Sequence, residues 1–187
     1  MVKRLFDICL VLIAAVPICI LSLFMFIAIR LSSAGPVLFW SDRVGVNNNI
    51  FQMPKFRTMH LNAPSVATHL LQNPEQYLTP IGGFLRKTSL DELPQLWSIL
   101  VGDMSFVGPR PALFNQRDLI DLRTEAGIHK LTPGLTGWAQ INGRDDLEVE
   151  EKVRLDEEYL KRRSFQFDMK IIALTALKIV QTKDISH

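Results

Sequence analysis

Arg86 to Pro111 reads RKTSLDELPQLWSILVGDMSFVGPRP, and the rest of the chain is organised around this stretch. Two adjacent carboxylates, Asp91 and Glu92, follow a pair of cations and precede an apolar segment. Carboxylates bind Mg²⁺ and arginines bind phosphate oxygens, so this composition is typical of a phosphate-and-metal site. A second interpretation is compatible with it. Ser89 to Glu92 matches a capping box, in which the acids begin a helix whose dipole keeps Asp91 ionised.

The composition restricts the class of protein. The chain has 187 residues, 48% of them hydrophobic, and a formal charge of +2. This length suits one domain with a membrane segment. The small net charge argues against nucleic acid as a partner and is compatible with a basic face toward anionic phospholipid. The histidines and cysteines lack metal-ligand spacing, which argues against zinc.

An uncharged run from Ile8 to Ile29 is long enough for a helix of roughly 33 Å. A cleaved signal peptide and an ordinary spanning helix are two interpretations of such a run. The flanking cations favour a third, because Lys3 and Arg4 precede the run and further cations follow it. Both flanks are then cytoplasmic under the positive-inside rule, so the helix enters the membrane and turns back. Pro17 is the expected position of a kink.

Short strands are predicted next, at Val37–Trp40 and Ile50–Met53, around a turn of three asparagines. In the segment Lys55–Met59, basic residues alternate with apolar ones. This alternation predicts either a strand edge that directs Lys55 and Arg57 to one face or a plain solvated strand.

Helices are predicted for most of the remaining chain. Leu93–Val101 carries a broad apolar face with a tryptophan, which fits a core helix or a helix at the membrane interface. The other predicted helices are Gln116–Lys130, Leu147–Arg163 and Met169–Gln181; the last is apolar around most of its circumference, and Asp168 opens it.

Two loop motifs are suited to binding an anion. Proline on each side of Arg110 fixes the backbone, so the turn presents this arginine rigidly. A simple helix entry is the alternative. The segment Pro133–Arg144, PGLTGWAQINGR, combines three glycines with Thr, Gln, Asn and Arg, which suits close approach of a phosphate or nucleotide to the backbone. A pair of tight turns fits it equally well.

TSLDELPQLWSILVGDMSFVGPRP, with KFRTM before it and PGLTGWAQINGR after it, resembles the bacterial sugar transferase family. The likeness is to its small monotopic phosphoglycosyl transferases and extends from Asp7 to about Ile172. It implies an α/β, mostly helical fold, with a compact cytoplasmic catalytic domain, an N-terminal re-entrant membrane helix and interfacial amphipathic helices. Residues 1–34 and 35–187 would form one structural unit. The family has a Ser-Pro pair at the bend, where this sequence reads Cys19-Ile20.

The resemblance also implies a reaction on the cytoplasmic face of the bacterial inner membrane. A sugar 1-phosphate passes from a UDP-sugar to polyprenyl (undecaprenyl) phosphate, and UMP is released. Asp91 would be the nucleophile that carries the phosphosugar, and Glu92 with Asp91 would bind the cofactor Mg²⁺. The candidate phosphate- or substrate-binding residues are Lys55, Arg57, Arg86, Arg110, Arg144 and Asp168.

Alternatives remain at two levels. The short chain resembles family members that use an N-acetylated amino or diacetamido sugar, whereas a plain hexose 1-phosphate is the alternative within the same reaction. Outside the enzymes, the alternative is a bitopic membrane-anchored protein whose soluble part only binds a partner.

Overall fold

The computed structural model describes residues 2–64, 73–143 and 147–184, and over these residues the chain is mostly helical with a few strands. The helices are α1 (Val2–Ser32), α2 (Gly82–Lys87), α3 (Leu96–Val101), α4 (Arg117–Glu125), α5 (Trp138–Asn142), α6 (Val149–Arg162) and α7 (Phe165–Asp184). The strands are β1 (Leu38–Val44), β2 (Ile50–Phe56), β3 (Ser105–Val107) and β4 (Gly134–Thr136). Short 3₁₀ turns lie at Val46–Asn48, Pro74–Tyr77, Leu90–Gln95 and Ile128–Lys130.

The predicted strand pair is an antiparallel hairpin, and both of its strands are longer than the sequence pattern indicated. β1 and β2 pair with Phe39 opposite Lys55. Asn47 and Asn48 turn the chain with φ of 54° and 61°. Asparagine tolerates this left-handed region better than most residues do, which explains the turn.

β3 and β4 form a separate parallel pair that brings two distant motifs together. Ser105 pairs with Gly134, and Val107 pairs with Thr136. The turn after β3 therefore lies against the start of the Pro133–Arg144 motif. A Cβ at Gly134 or at Gly137 would clash with the backbone of Gly108, so glycine is required there by close approach of two chain segments.

Helix α1 is long and apolar enough to cross a membrane, by length and composition. It continues through Pro17 as one element. Its first turns contact the segment before Arg110: Lys3 donates to the carbonyl of Val107 at 2.7 Å, and Asp7 accepts from the amide of Phe106 at 3.2 Å. Near its other end, Ile29 is fully buried. Both ends of α1 thus pack on the same globular body.

The core is divided among several hydrophobic clusters that tie these elements together. The largest joins β3 to the C-terminal helices through Val107, Tyr159 and Ile171. A second packs Val11 of α1 against Met53 and other buried side chains of the body. A third surrounds Ile29. The apolar middle of α1 lies between these two anchoring clusters.

Three predicted helix boundaries were wrong for local reasons. The helix predicted at Leu93–Val101 is a 3₁₀ turn followed by α3, and Pro94, which cannot donate a backbone hydrogen bond, lies inside the turn. The helix predicted to reach Lys130 ends at Glu125, because Gly127 adopts a φ of 74°. α7 begins at Phe165, so Asp168 lies within its first turn.

Candidate active site

A cleft of about 320 Å³ lies between the β1–β2 hairpin, the 3₁₀ turn of Asp91 and the wall formed by α4, α5 and α6. Among the residues that the structure describes, its lining is rich in cations and includes one acidic side chain, Asp91. The charged lining residues are Arg43, Lys55, Arg57, Arg86, Asp91, Arg110, Arg123 and Lys152. A concentration of positive charge of this kind favours an anionic ligand.

Glu92 connects two of the predicted phosphate-binding cations. Its Oε1 accepts hydrogen bonds from Nζ of Lys55 at 3.0 Å and from Nη2 of Arg110 at 2.9 Å. Burial on its own would raise the pKa of Glu92, but the charges and hydrogen bonds of Arg110 and Lys55 lower it well below the ordinary value. Burial lowers the pKa of Lys55, and the charge of Glu92 opposes that effect. Glu92 therefore stays ionised and fixes both cations.

Asp91 differs from its neighbour because no residue in the described parts of the chain hydrogen-bonds its carboxylate. The side chain is buried and lines the cleft. Burial raises the pKa of Asp91; the charge of Lys55 opposes this shift, and that of Glu92 adds to it. The N-terminal end of a helix dipole would lower the pKa of Asp91, so the shift is opposite to the one that the dipole predicts. A carboxylate that is buried but not held by partners suits attack on an electrophile.

The capping box predicted at Ser89 is not formed. Ser89 adopts a left-handed conformation, with φ of 56°, and its side chain makes no capping hydrogen bond. The following turn is a 3₁₀ helix of six residues, in which Glu92 is directed to Lys55 and Arg110. The functional interpretation of the acid pair thus accounts for its contacts, and the capping interpretation does not.

Two of the remaining predicted site residues line the cleft but make different contacts. Arg86 of α2 lines the cleft, and its Nε donates to Oγ1 of Thr58 at 2.9 Å. Arg57 also lines the cleft, but its guanidinium donates to backbone carbonyls of Ser33 and Ala34 just after α1. Its contacts are therefore those of a residue that fixes the end of α1.

Asp168 does not line the cleft. The carboxylate of Asp168 pairs with Lys3 at 2.8 Å and accepts a hydrogen bond from Tyr159 at 2.8 Å. Burial and this carboxylate raise the pKa of Tyr159 above its usual range. This cluster joins α1, α6 and α7. Arg144 lies outside the described residues.

Two arginines that sequence reasoning missed hold the backbone of the turn that carries Arg110. Arg123 donates to the carbonyl of Arg110 at 2.8 Å and pairs with Asp156 at 2.5 Å. Arg43 donates to the carbonyl of Pro111 at 3.1 Å. The alternation of side chains along β1 could have indicated that Arg43 belongs to the site. Arg43 shares a strand face with Phe39 and Ser41, and all three line the cleft. No local pattern indicated Arg123.

The acid pair is suited to a magnesium ion that is bound partly by water and substrate, rather than to an ion held by protein side chains alone. The described residues contain no cluster of three or more metal-binding side chains. Mg²⁺ in phosphate-transfer sites commonly takes one or two carboxylates and completes its shell with water and substrate phosphates. Asp91 lines the cleft, so its carboxylate is the first candidate ligand for Mg²⁺. The second oxygen of Glu92 is the next candidate, because Oε1 is used by two cations.

A buried carboxylate in a cation-lined cleft is typical of an enzyme that transfers phosphate-linked groups. Comparison with known proteins agrees, because residues 1–182 match the family described as bacterial sugar transferase. The uncharacterized sugar transferase EpsL of Bacillus subtilis (strain 168) is 41% identical over 99% of this chain and 90% of its own length.

Two longer relatives have assigned reactions. The UDP-glucose:undecaprenyl-phosphate glucose-1-phosphate transferase of Escherichia coli (strain K12) is 43% identical over 81% of this chain. The undecaprenyl-phosphate glucose phosphotransferase of Komagataeibacter xylinus is 42% identical over 92% of it. This chain spans only 34% and 35% of their respective lengths. It belongs to the bacterial sugar transferase family and is a phosphoglycosyl transferase.

Proposed function

We propose that this protein transfers a hexose 1-phosphate from a UDP-hexose to undecaprenyl phosphate, giving undecaprenyl-diphospho-hexose and UMP. The observation that carries the proposal is the state of Asp91, a buried carboxylate without a hydrogen-bond partner among the described residues, in a cleft lined by cations. The relatives from Escherichia coli and Komagataeibacter xylinus are named for the same kind of transfer.

The reaction proceeds in two displacements at one phosphorus atom. A carboxylate oxygen of Asp91 attacks the phosphorus that bears the sugar, and the bond from this phosphorus to the bridging oxygen breaks. UMP leaves with the bonding electrons, and an aspartyl-phosphosugar remains. An oxygen of undecaprenyl phosphate then attacks the same phosphorus and releases the Asp91 carboxylate. One cleft thus serves a water-soluble and a lipid substrate in turn.

The other charged groups act on the phosphates. Lys55 and Arg110, fixed by Glu92, and Arg86 from α2 neutralise the diphosphate and the leaving UMP. Asp91 and the second oxygen of Glu92 would hold Mg²⁺, which would supply further neutralisation of the diphosphate charge. Arg43 and Arg123 hold the turn that presents Arg110.

The names of the relatives favour a hexose over an N-acetylated amino sugar. The relatives from Escherichia coli and Komagataeibacter xylinus are named for glucose, and the CpsE protein of Streptococcus agalactiae, 37% identical over 95% of this chain, is named a galactosyl transferase. The prediction of an N-acetylated or diacetamido sugar therefore has no support among them, and the hexose alternative becomes the proposal.

The proposed location is the cytoplasmic face of the bacterial inner membrane, with α1 re-entrant and in contact with phospholipid. The contacts of Lys3 and Asp7 at one end of α1 and the burial of Ile29 at the other support this topology. Exposed Trp97 on α3 and Leu177 on α7 support the prediction of helices at the interface.

The test is an assay of UMP release by the purified full chain with undecaprenyl phosphate and a panel of UDP-sugars. UDP-glucose or UDP-galactose is expected to give UMP, and a ³²P label in the sugar-bearing phosphate should remain on the protein when undecaprenyl phosphate is omitted. Excess chelator should stop the reaction, and added Mg²⁺ should restore it. Turnover of UDP-N-acetylated sugars alone would overturn the hexose assignment. Direct lipid product without any protein-bound label would overturn the two-step route.

A further inference from the structure

One buried amide on the wall of the cleft has no role in the proposed reaction. Gln140 lies on α5, inside the Pro133–Arg144 motif, and lines the same cleft as Asp91. It is 8% exposed. Neither the nitrogen nor the oxygen of its amide has a hydrogen-bond partner among the residues of 2–64, 73–143 and 147–184. A buried amide without partners is unfavourable for folding, and packing alone does not explain it.

The position of this amide relates it to the phosphate-binding turn. A Cβ at Gly137 would lie 2.5 Å from Oε1 of Gln140, and it would also clash with the carbonyl of Gly108. Gly108 begins the turn that presents Arg110, whose guanidinium pairs with Glu92. The amide of Gln140 therefore packs at the base of the turn that carries a phosphate-binding cation.

The chemistry of a primary amide selects its ligand. Its N–H donor and its carbonyl acceptor lie side by side, so one partner satisfies both only if it offers an adjacent acceptor and donor on one edge. The imide edge of uracil does so, with N3–H as donor and a neighbouring carbonyl as acceptor. The secondary amide of an N-acetyl group does not, because its N–H and C=O point in opposite directions in the trans form.

We infer that Gln140 recognises the imide edge of the uracil base, so that the wall around α5 is the nucleobase subsite of the cleft. This inference rests on the proposed use of a UDP-sugar, and it adds to that proposal the residue that recognises the base of the nucleotide. Both polar atoms of the amide are shielded from solvent. The terminal torsion of a glutamine is broad, so a rotation presents the amide to the cleft that the residue lines.

The test compares binding of UMP and of N3-methyl-UMP, in which the imide donor is blocked, to the purified full chain in detergent. The native chain should prefer UMP by roughly 5- to 150-fold, the discrimination given by a bidentate amide–base pair. Gln140→Leu should bind UMP more weakly by a similar factor and should no longer distinguish the two nucleotides. Its Tm should equal or exceed that of the native chain, because an unsatisfied amide has been removed.

Gln95→Leu is the matched control. Gln95 is also buried, and its amide nitrogen has no partner in the described parts of the chain, but it does not line the cleft. This variant should keep the native preference for UMP. If Gln140→Leu fails to fold, Gln140→Met removes the same polar atoms and gives the same readout.

Several outcomes would overturn the inference: no preference for UMP in the native chain, no binding of either nucleotide, or an unchanged preference in Gln140→Leu. They are separate from failure of the proposed reaction. Active transfer without this preference would refute only the role of Gln140. A native preference that Gln140→Leu abolishes, with no UMP released from any UDP-sugar, would refute the transfer and retain the subsite.

Discussion

Asp91 and Glu92 are adjacent in sequence, yet their surroundings shift their pKa values in opposite directions. Glu92 accepts hydrogen bonds from two cations, so its pKa is lowered. Asp91 has no such partner within the described residues, and burial raises its pKa. The more basic carboxylate is the one that lines the cleft. This difference supports a division of roles, with Asp91 as the nucleophile and Glu92 as the residue that fixes the cations.

Asp91→Asn is expected to abolish transfer while leaving the fold intact, because an amide cannot form the acyl phosphate. UMP release should fall by on the order of 10⁴-fold or more, as for removal of other nucleophiles, and no labelled protein should form. Asp103→Asn, at an exposed acid outside the cleft, is the control and should retain native release. Native UMP release by Asp91→Asn would show that another group attacks the phosphorus.

The pKa of Glu92 gives a pH-dependent expectation for stability. Because the pKa is lower in the folded state than the ordinary value of about 4.3, Glu92 stabilises the fold above that pH. The contribution decreases as the pH falls below it. Glu92→Gln should therefore lower the Tm at neutral pH, and this difference from the native chain should shrink in acid.

Thermal unfolding in detergent at pH 7 and at pH 3 measures the effect. The exposed Glu150→Gln supplies the control, with the same small difference from the native chain at both pH values. A Tm difference for Glu92→Gln that stays constant or grows in acid would contradict the ion-pair network as the source of the shift.

At the scale of elements, the turn that carries Arg110 depends on contacts from parts of the chain far away in sequence. Arg123 of α4 and Arg43 of β1 bind its carbonyls, and Lys3 of α1 binds the carbonyl of Val107 just before it. Arg123 is in turn fixed by Asp156 of α6. Four elements thus determine where one arginine lies, and such contacts have no signature in the local sequence.

The sequence predicted those features that depend on neighbours along the chain. The hairpin followed from alternation and a run of asparagines, and the candidate site followed from the Asp91-Glu92 pair and the rigid turn of Arg110. Prediction from the sequence was wrong where a tertiary contact overrides a local pattern. Ser89 fits a capping box, but the contacts of Glu92 with Lys55 and Arg110 direct the acid away from the helix end. Arg43 and Arg123 became recognisable only through the carbonyls that they bind.

The Arg123–Asp156 pair is expected to support the position of Arg110. Burial raises the pKa of Asp156, and Arg123 opposes this shift. Asp156→Asn leaves the buried guanidinium without its counter-charge, and breaking such a pair costs roughly 3–5 kcal/mol of stability. KM for the UDP-sugar should also rise, because the turn is held less firmly.

Chemical unfolding and steady-state kinetics of Asp156→Asn measure these two effects. Glu151→Gln is the control on the same helix, since the pair of Glu151 with Arg154 is exposed and should contribute no measurable stability. An Asp156→Asn variant as stable as the native chain would show that the buried pair does not hold the turn.

At the scale of the whole molecule, the contacts at the two ends of α1 support the proposed re-entrant topology. Lys3 forms an ion pair with Asp168 and donates to Val107, and at the other end Ile29 is buried against Leu85 and its neighbours. A straight spanning helix would break one of these sets of contacts. It would also carry Lys3 and Arg4 across the bilayer, at roughly 2.5–3.5 kcal/mol for each charge on insertion scales.

We therefore expect the first turn of α1 and the catalytic unit to lie on the same, cytoplasmic side. Val2 is 69% exposed, so Val2→Cys is a suitable reporter in a chain from which Cys9 and Cys19 have been removed. An impermeant thiol reagent should leave it unlabelled in intact cells and label it once the cells are opened. Asp42→Cys, exposed on β1 of the catalytic unit, should follow the same pattern.

Labelling of Val2→Cys but not Asp42→Cys in sealed cells would show a helix that spans the membrane, and the shared-side topology would be wrong. Pro17→Ala then separates two causes of the topology. If the proline bend alone holds α1 re-entrant, part of the population should become labelled at residue 2 in sealed cells. If the contacts of Lys3 and Ile29 hold it, Pro17→Ala should stay protected, and Asp168→Ala, which removes the partner of Lys3, should increase labelling.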